Sequence, residues 1–516
     1  MLKTLRVSAS IVLFALITFY FLDFAGLMPN GFHWLAHIQF IPALVSGSFI
    51  ILAVLILLTL LFGRIYCSSI CPMGVYQDIV SWVSKRRLFS KKRKRYTYSK
   101  AKNILRYAVL VVTIVTFFVG FPVLLGLVDP YSAWGRVVTN VFRHVYAGGN
   151  NILESIFTSF GNYTFYKVDI VILSISSFII ALVTLFAIGF LAWKYGRTYC
   201  NTICPVGTIL GFVSKFSLFK VRIDEDLCNS CGSCVMKCKA SCIDSKNHAI
   251  DHSRCVDCFN CLNSCSKNAI RYTPSLLRKK WENHVAEPIP ATDKNKRQFL
   301  LTGLTTAVVA PALYAQGKAA KLTGDDKYIR KNPISPPGAL SAQHLSDHCT
   351  SCHLCISRCP SNVIKPAFME YGLGGMMQPM MNYDKGFCNY NCNVCTDVCP
   401  AKALVSLTQE EKHMTQIGRV TFHKEICVVH TDETNCGACA EHCPTQAVSM
   451  VPYDKAEGLT IPSINPEICV GCGGCEYICP VRPYRAIYVE GNPVHQQREA
   501  FQEEKKQDIV IDDFGF

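Results

Sequence analysis

The hydrophobic pattern divides the chain before any residue type is weighed. Near-continuous apolar stretches run from about Val7 to Phe24, Phe40 to Phe62, Ile104 to Val128 and Val168 to Trp193. Each is long enough to cross a bilayer as a helix. A weaker stretch over 298–316 is opened by Lys296-Arg297-Gln298-Phe299-Leu300 and diluted by Thr302, Thr305, Thr306 and Pro311. It has the character of an export signal and predicts a fifth crossing. Beyond it a Pro-rich linker from Asn332 to Gly338 leads into the last domain.

The ends of the second and fourth stretches repeat. Gly63-Arg64-Ile65-Tyr66-Cys67-Ser68-Ser69-Ile70-Cys71-Pro72-Met73-Gly74 matches Gly196-Arg197-Thr198-Tyr199-Cys200-Asn201-Thr202-Ile203-Cys204-Pro205-Val206-Gly207 at a constant offset of 133 residues. Two hairpins in the same orientation are parallel repeats about an axis along the membrane normal, so both C-x3-C-P motifs emerge at one rim. Charge sets the side. Ser84 to Arg106 carries eleven basic residues and no acid, which places that loop in the cytoplasm and the 129–167 loop on the other side. Residues 1–316 hold 34 Lys and Arg against 14 Asp and Glu, and residues 317–516 hold 18 against 23. The net charge of +15 therefore crowds beside apolar spans, where it reports orientation, and nucleic acid is not an expected partner.

The 29 cysteines sort into six runs of four, the two C-x3-C-P pairs and Cys242. Quartets at repeated spacing are not a disulfide framework. In C-x2-C-x2-C-x3-C, three thiolates wrap one cubane and the fourth reaches a neighbouring one. The run Cys228, Cys231, Cys234, Cys238 and the run Cys255, Cys258, Cys261, Cys265 therefore predict a two-cluster ferredoxin fold in which Cys265 and Cys238 are exchanged. Cys238 is followed by Lys239 and Cys265 by Ser266 where such runs carry Pro, and Cys242 is a substitute ligand for Cys238. Four further runs all end in Cys-Pro: Cys349, Cys352, Cys355, Cys359; Cys388, Cys392, Cys395, Cys399; Cys427, Cys436, Cys439, Cys443; and Cys469, Cys472, Cys475, Cys479. They predict four cubanes in two ferredoxin-like modules, with the partner of the first run open between the second and the fourth. The expected cofactors are six [4Fe-4S] clusters. Cys67, Cys71, Cys200 and Cys204 add either a further iron–sulfur centre or two redox-active dithiols, between which spacing does not choose; helix-end packing is the bland reading.

The expected fold is an α-helical membrane protein, a four-helix duplicated hairpin plus a fifth helix, with α+β ferredoxin-like iron–sulfur domains. The predicted domains are a membrane domain at 1–215, a cytoplasmic two-cluster ferredoxin at 216–275, a basic linker at 276–297, the fifth helix at 298–316, a linker at 317–345 and a periplasmic four-cluster domain at 346–516. Cys349-Thr350-Ser351-Cys352-His353 also matches haem attachment, which would orphan Cys355 and Cys359 from a complete run. His33 and His37 lie one helical turn apart with Gln39 close by, and with Asp129 they are candidates for taking protons from a quinol, against the reading of polar anchors at a membrane interface. Tyr131, Trp134 and Arg136, just past the third stretch, suit an interfacial belt equally well.

With those motifs in view, residues 1–270 resemble NapH and residues 296 to about 490 resemble NapG, the membrane quinol dehydrogenase subunits of periplasmic nitrate reductase systems. This chain differs in fusing the two and in lacking Pro after Cys238 and Cys265. The resemblance implies a multi-pass protein of a bacterial inner membrane that draws electrons from the quinone pool in membrane lipid. It implies transfer to a periplasmic reductase or cytochrome, with other membrane subunits as further partners. Two rival readings are transfer from a cytoplasmic reductant to quinone, and a redox regulator or metal-reducing assembly factor.

Overall fold

The first helix, Leu2–Leu22, has the outline of a span: a thin buried stripe of Arg6, Ser10, Ile17, Tyr20 and Phe21, with Leu5, Ile11 and Val12 facing outward. The computed structural model describes residues 2–23, 26–85, 95–274, 330–453 and 458–498. Met1–Leu276 and Lys331–Phe516 form one compact unit. The expected fifth helix at 298–316 and the basic linker at 276–297 lie outside the described residues.

Among the described residues, Leu2–Leu22 and Ile175–Tyr195 are long and apolar enough to cross a membrane, whereas Phe49–Phe62 and Asn103–Phe118 are apolar but shorter. Three of the four predicted spans are thus shorter than their apolar runs, and the cause is local. The 40–62 run breaks between Phe40–Val45 and Phe49–Phe62, where Gly47 takes φ +67°. The 104–128 run breaks after Phe118 at Gly120 (φ +87°) and Pro122, then resumes as Val123–Val128. The fourth helix starts at Ile175, capped by Ser174, because Asn151 holds the backbone of Val168 in an extended strap through both of its polar groups.

The 129–167 loop is not simply external. Asp129 caps Pro130–Val137, and all eight residues of that helix are buried, Tyr131, Trp134 and Arg136 among them. Trp134 packs against Phe14 with tilted rings and donates to Thr18 Oγ1 at 3.2 Å, so these aromatics belong to the core and not to an interfacial belt.

The repeated motif builds matching corners. Phe49–Phe62 ends on Gly63 (φ +79°) and Ile175–Tyr195 on Gly196 (φ +73°), a conformation that L side chains rarely adopt. Each glycine is also a docking notch: a Cβ would collide with the Asp257 carboxylate at Gly63 and with the Lys239 carbonyl at Gly196. Cys71 and Cys204 are then N-cap residues, with proline in the first turn, of Pro72–Val83 and Pro205–Val213.

Between them, a small ferredoxin-like body pairs Phe219–Ile223 antiparallel with Ile270–Pro274, and Ile243–Asp244 with Ala249–Ile250. The C-terminal region pairs Ile364–Pro366 with Pro379–Met381, Thr415–Phe422 with Ile487–Gln497, and Val448–Pro452 with Thr460–Ile464, all antiparallel. The two bodies meet opposite ends of the first helix. Arg6 near its start bonds the Ser68 carbonyl and Asp78, which also pairs with Lys239 of the ferredoxin body. Asp23 just past its end pairs with Arg358 of the C-terminal region. Seventeen residues of helix separate these anchors by about 26 Å.

Candidate metal centres

Four of the six runs share one loop conformation. Left-handed residues flank the second cysteine on both sides: Ser230 and Gly232, Asp257 and Phe259, Ser351 and His353, Gly471 and Gly473. That alternation curls three thiols inward. The runs at 388 and 427, with wider first spacings, lack it. Five of the six fourth cysteines are followed three residues later by another left-handed residue, Ser241, Asn268, Asn362, Lys402 or Gln446. Its N–H closes a turn onto the cysteine carbonyl, at 3.2 Å for Ser241 and 3.3 Å for Asn268. Lys239 and Ser266 therefore support the same turn as Pro.

The thiols collect into pockets. Cys228, Cys231, Cys234 and Cys265 line one, and Cys255, Cys258, Cys261 and Cys238 line the next. In the C-terminal region Cys349, Cys352 and Cys355 gather with Cys399, and Cys388, Cys392 and Cys395 with Cys359, which joins the first run to the second. Cys427, Cys436 and Cys439 gather with Cys479, and Cys469, Cys472 and Cys475 have Cys443 as neighbour. All 29 cysteines are free thiols. Among the described residues no group of three or more His, Cys, Asp or Glu is gathered closely enough to hold a single metal ion. Backbone N–H groups point at the sulfurs, as from Ala269 to Cys265 at 3.3 Å and from Leu404 to Cys399 at 3.4 Å. Thiolate donors in fours with N–H donors around them suit [4Fe-4S] clusters.

Cys242 lies in the second pocket with its sulfur 3.6 Å from that of Cys238. Both cysteines line this pocket; with Cys238 as the ligand, Cys242→Ser is expected to keep the iron content of the unmodified protein, whereas Cys238→Ser shifts the cluster's paramagnetic spectrum as Cys242 replaces it. Iron loss in Cys242→Ser would show the assignment to be reversed.

The second pocket adjoins the corners of the repeat. Arg64 N–H donates to Asp257 Oδ2 at 2.8 Å, and Arg197 N–H to the Lys239 carbonyl at 2.9 Å, so both corners grip the loops of the second pocket. Burial pushes the Asp257 carboxyl up to about 6 against the pull of the Arg64 N–H. The four thiols of the C-x3-C-P motifs come next, each no more than 4% exposed. On their far side Tyr66, Tyr199 and Tyr131 all have Asp129 within electrostatic reach, and Tyr131 also has Cys352. One hydrophobic core joins Cys258, all four of these thiols and Cys352. Farther on, the Cys388 N–H donates to the Cys472 carbonyl at 2.9 Å, linking the two C-terminal modules.

The quinol candidates divide into two groups. His33 Nδ1 lies 3.1 Å from the Tyr20 hydroxyl, and His33 and His37 face Asp397 and Lys402, which flank Cys399. Burial, helped by Arg358 at His33 and by His33 and Lys402 at His37, holds both imidazoles below their ordinary range. Gln39 is buried apart from them and accepts from the Tyr66 hydroxyl at 3.0 Å. Asp129 is spent as a helix cap on Ser132 N–H at 2.8 Å, with its carboxyl raised by burial. His353, of the haem-like motif, is a structural tie: it meets Asn140 at 3.0 Å and the Met377 carbonyl at 3.1 Å, and burial with Arg136 pushes it down to about 3.

Sequence reasoning passed over Arg64, Arg197 and Asp78. Both arginines stand in the repeated Gly-Arg, which was the available signal; Asp78 had none.

Comparison with known proteins fits this layout. A 4Fe-4S binding domain model matches residues 46–95 and again 175–224, segments whose cysteines are Cys67 and Cys71, and Cys200 and Cys204. Models of a 4Fe-4S dicluster domain match 251–363 and 434–482. The 251–363 match reads the 255 and 349 runs as consecutive, whereas the pockets pair each with a different run. The chain is 28% identical over 161 residues to the ferredoxin-type protein NapF of Escherichia coli (strain K12), covering 31% of this chain and 88% of that one. It is 24% identical over 315 residues to YccM of the same organism, an electron transport protein by provisional name, covering 57% and 73%. It is 29% identical over 156 residues to the methylamine utilization ferredoxin-type protein MauM of Methylobacillus flagellatus, covering 28% and 63%. This is an iron–sulfur electron-transfer protein. It carries several [4Fe-4S] clusters and has ferredoxin-type homologues. No solved structure matches the chain.

Proposed function

We propose that the protein is a quinol dehydrogenase of a bacterial inner membrane, a NapH–NapG-like fusion with its C-terminal region on the periplasmic side and six cubanes in the quartets described. The observation that carries the reading is that His33 and His37 lie within electrostatic reach of Asp397 and Lys402, on either side of Cys399, a cysteine of the first pocket of the C-terminal region. Apolar outward faces, with Phe49, Ile50, Phe118, Ile179 and Phe186 exposed, support immersion of the helices in lipid. Quinol oxidation yields quinone, two protons and two electrons. Neutral His33 and His37 accept the protons, and Tyr20 orients His33. Bound [4Fe-4S] clusters supply one-electron transfer, so the pair of electrons leaves singly towards a periplasmic reductase or cytochrome.

The test is reconstitution in liposomes with reduced menaquinone, following bleaching of cluster absorbance. The unmodified protein bleaches, and the His33→Ala, His37→Ala double variant bleaches about 10²- to 10⁴-fold more slowly. Because both imidazoles titrate below their ordinary range, they stay neutral at pH 7 and the rate falls only as pH drops beneath that range. Absence of bleaching in the unmodified protein removes the quinol assignment. The unbroken core from Cys258 to Cys352 favours a second reading, in which a cytoplasmic reductant charges the inner ferredoxin and quinone is the acceptor. In that case a reduced low-potential donor on the cytoplasmic side bleaches the clusters and added quinone restores them.

A further inference from the structure

The two C-x3-C-P pairs meet in the middle of this protein, and their surroundings are built for a negative charge that the thiols alone do not carry. Arg64 and Arg197 are buried to 0% and 1% exposure and related by the duplication. Arg64 reaches across to the Cys200 carbonyl at 3.3 Å, and Arg197 reaches back to the Cys67 carbonyl at 2.7 Å. Arg64 Nη2 also donates to the Cys67 sulfur at 3.7 Å, and Gln77 donates to the Cys200 sulfur at 3.1 Å. Gly74 and Gly207 make the room, since a Cβ at either would collide with the carbonyl of the first cysteine of its own motif, Cys67 or Cys200, and crowd the arginine of the other copy.

Arg197 has the Asp78 carboxylate as partner at 2.8 Å, but Asp78 is shared with Arg6 and Lys239. The Arg64 guanidinium has no carboxylate among its hydrogen-bond partners, which are Asn201, two carbonyls and a sulfur; the Asp257 carboxylate is held by the Arg64 backbone N–H instead. Arg64 Nε and Arg197 Nη2 are buried without a hydrogen-bond partner. An isolated buried cation is costly, so the cage is incomplete without an anion. Two reactive dithiols do not supply one: such thiols work at accessible positions, whereas these four are enclosed.

We propose that Cys67, Cys71, Cys200 and Cys204 together hold one iron–sulfur cluster shared between the duplicated halves, charge-balanced by Arg64 and Arg197, and that this centre relays electrons between the inner ferredoxin and the C-terminal region. Four thiolates around an oxidised two-iron or four-iron core leave a surplus of two negative charges, which two guanidinium groups balance. Loading deprotonates the four thiols. Thereafter each turnover is one electron in from one neighbouring cluster and one electron out to the other, with no bond made and no proton moved. Placement supports the role: the Asp257 loop of the second pocket touches Arg64, and Tyr66 and Tyr199 on the other side lead towards Cys352. The relay deepens the electron-transfer reading and rests on it, but the existence of the centre does not depend on quinol being the donor.

The test is iron and acid-labile sulfide per chain after anaerobic purification, with Mössbauer and paramagnetic resonance spectra. Six cubanes give about 24 irons; the added centre raises this to about 26 if it is [2Fe-2S] or about 28 if it is [4Fe-4S]. The Cys67→Ser, Cys71→Ser, Cys200→Ser, Cys204→Ser variant loses that increment and keeps the ferredoxin signals. About 24 irons in the unmodified protein overturns the proposal even if the variant fails to accumulate, and so does an unchanged iron count in a folded variant. Arg64→Gln keeps the iron and lowers the midpoint potential of one centre; an unmoved potential removes the charge-balancing role. A chain with the extra iron that does not oxidise quinol keeps this centre and loses the functional assignment.

Discussion

Asp78→Ala is expected to destabilise the folded protein severely. Its carboxylate pairs with Arg6 at 3.1 Å, Arg197 at 2.8 Å and Lys239 at 3.2 Å, tying the first helix, the second copy of the repeat and the ferredoxin body to one point. Removing one member of a buried ion pair costs about 3–5 kcal/mol, and here three cations lose their partner at once. Thermal unfolding followed by tryptophan fluorescence in detergent measures the loss, and a melting temperature within a few degrees of the unmodified protein would rule out the keystone role. Burial alone would raise this carboxyl, but Arg197 and Lys239 outweigh it and hold it far below the usual carboxylate range. The stability it contributes is therefore complete above the unfolded carboxylate range and is lost only as pH falls through the lower folded value. Acidification from pH 8 to pH 5 leaves this contribution intact.

Asp23→Ala has the second largest expected effect, and it acts on docking. The Asp23 carboxylate accepts from Leu27 N–H at 2.8 Å and Met28 N–H at 2.9 Å and pairs with Arg358 of the C-terminal region. Burial opposes its ionisation, but the Met28 and Leu27 N–H groups and Arg358 prevail and lower its pKa. The substitution leaves Arg358 buried without its counter-ion, at a cost of about 3–5 kcal/mol, or roughly 10²- to 10⁴-fold in the docking equilibrium. Hydrogen exchange over residues 349–359 should rise by that factor while the helix 2–22 keeps its protection. Equal protection in both proteins would show that docking rests on other contacts, such as Arg136 to the Ser351 carbonyl at 3.1 Å.

The cluster runs were legible in the sequence because a ligand set confined to one tight loop writes its geometry as spacing. The exchange of fourth cysteines in the C-terminal region was not, since which runs lie side by side is decided by strand pairing tens of residues away. Arg64 and Arg197 were visible in the repeat but look like cytoplasmic-rim charges until their burial is known. Tyr131 and Trp134 had the look of an interfacial belt because hydropathy does not record that a domain more than 200 residues later, through Ser351 and Cys352, closes over their helix. The apolar runs overstated the helices for a related reason: Gly47 and the Gly120–Pro122 break are too few to change a window average, yet they end helices.

The shared core from Cys258 through the four C-x3-C-P thiols to Cys352 has a kinetic meaning if the centre proposed there is the link between the ferredoxin body and the C-terminal region. Links in series make overall throughput obey the slowest hop, so improving any other link leaves the flux unchanged. Oxidative damage to one interior member acts as an open switch and strands charge on whichever segment lies upstream.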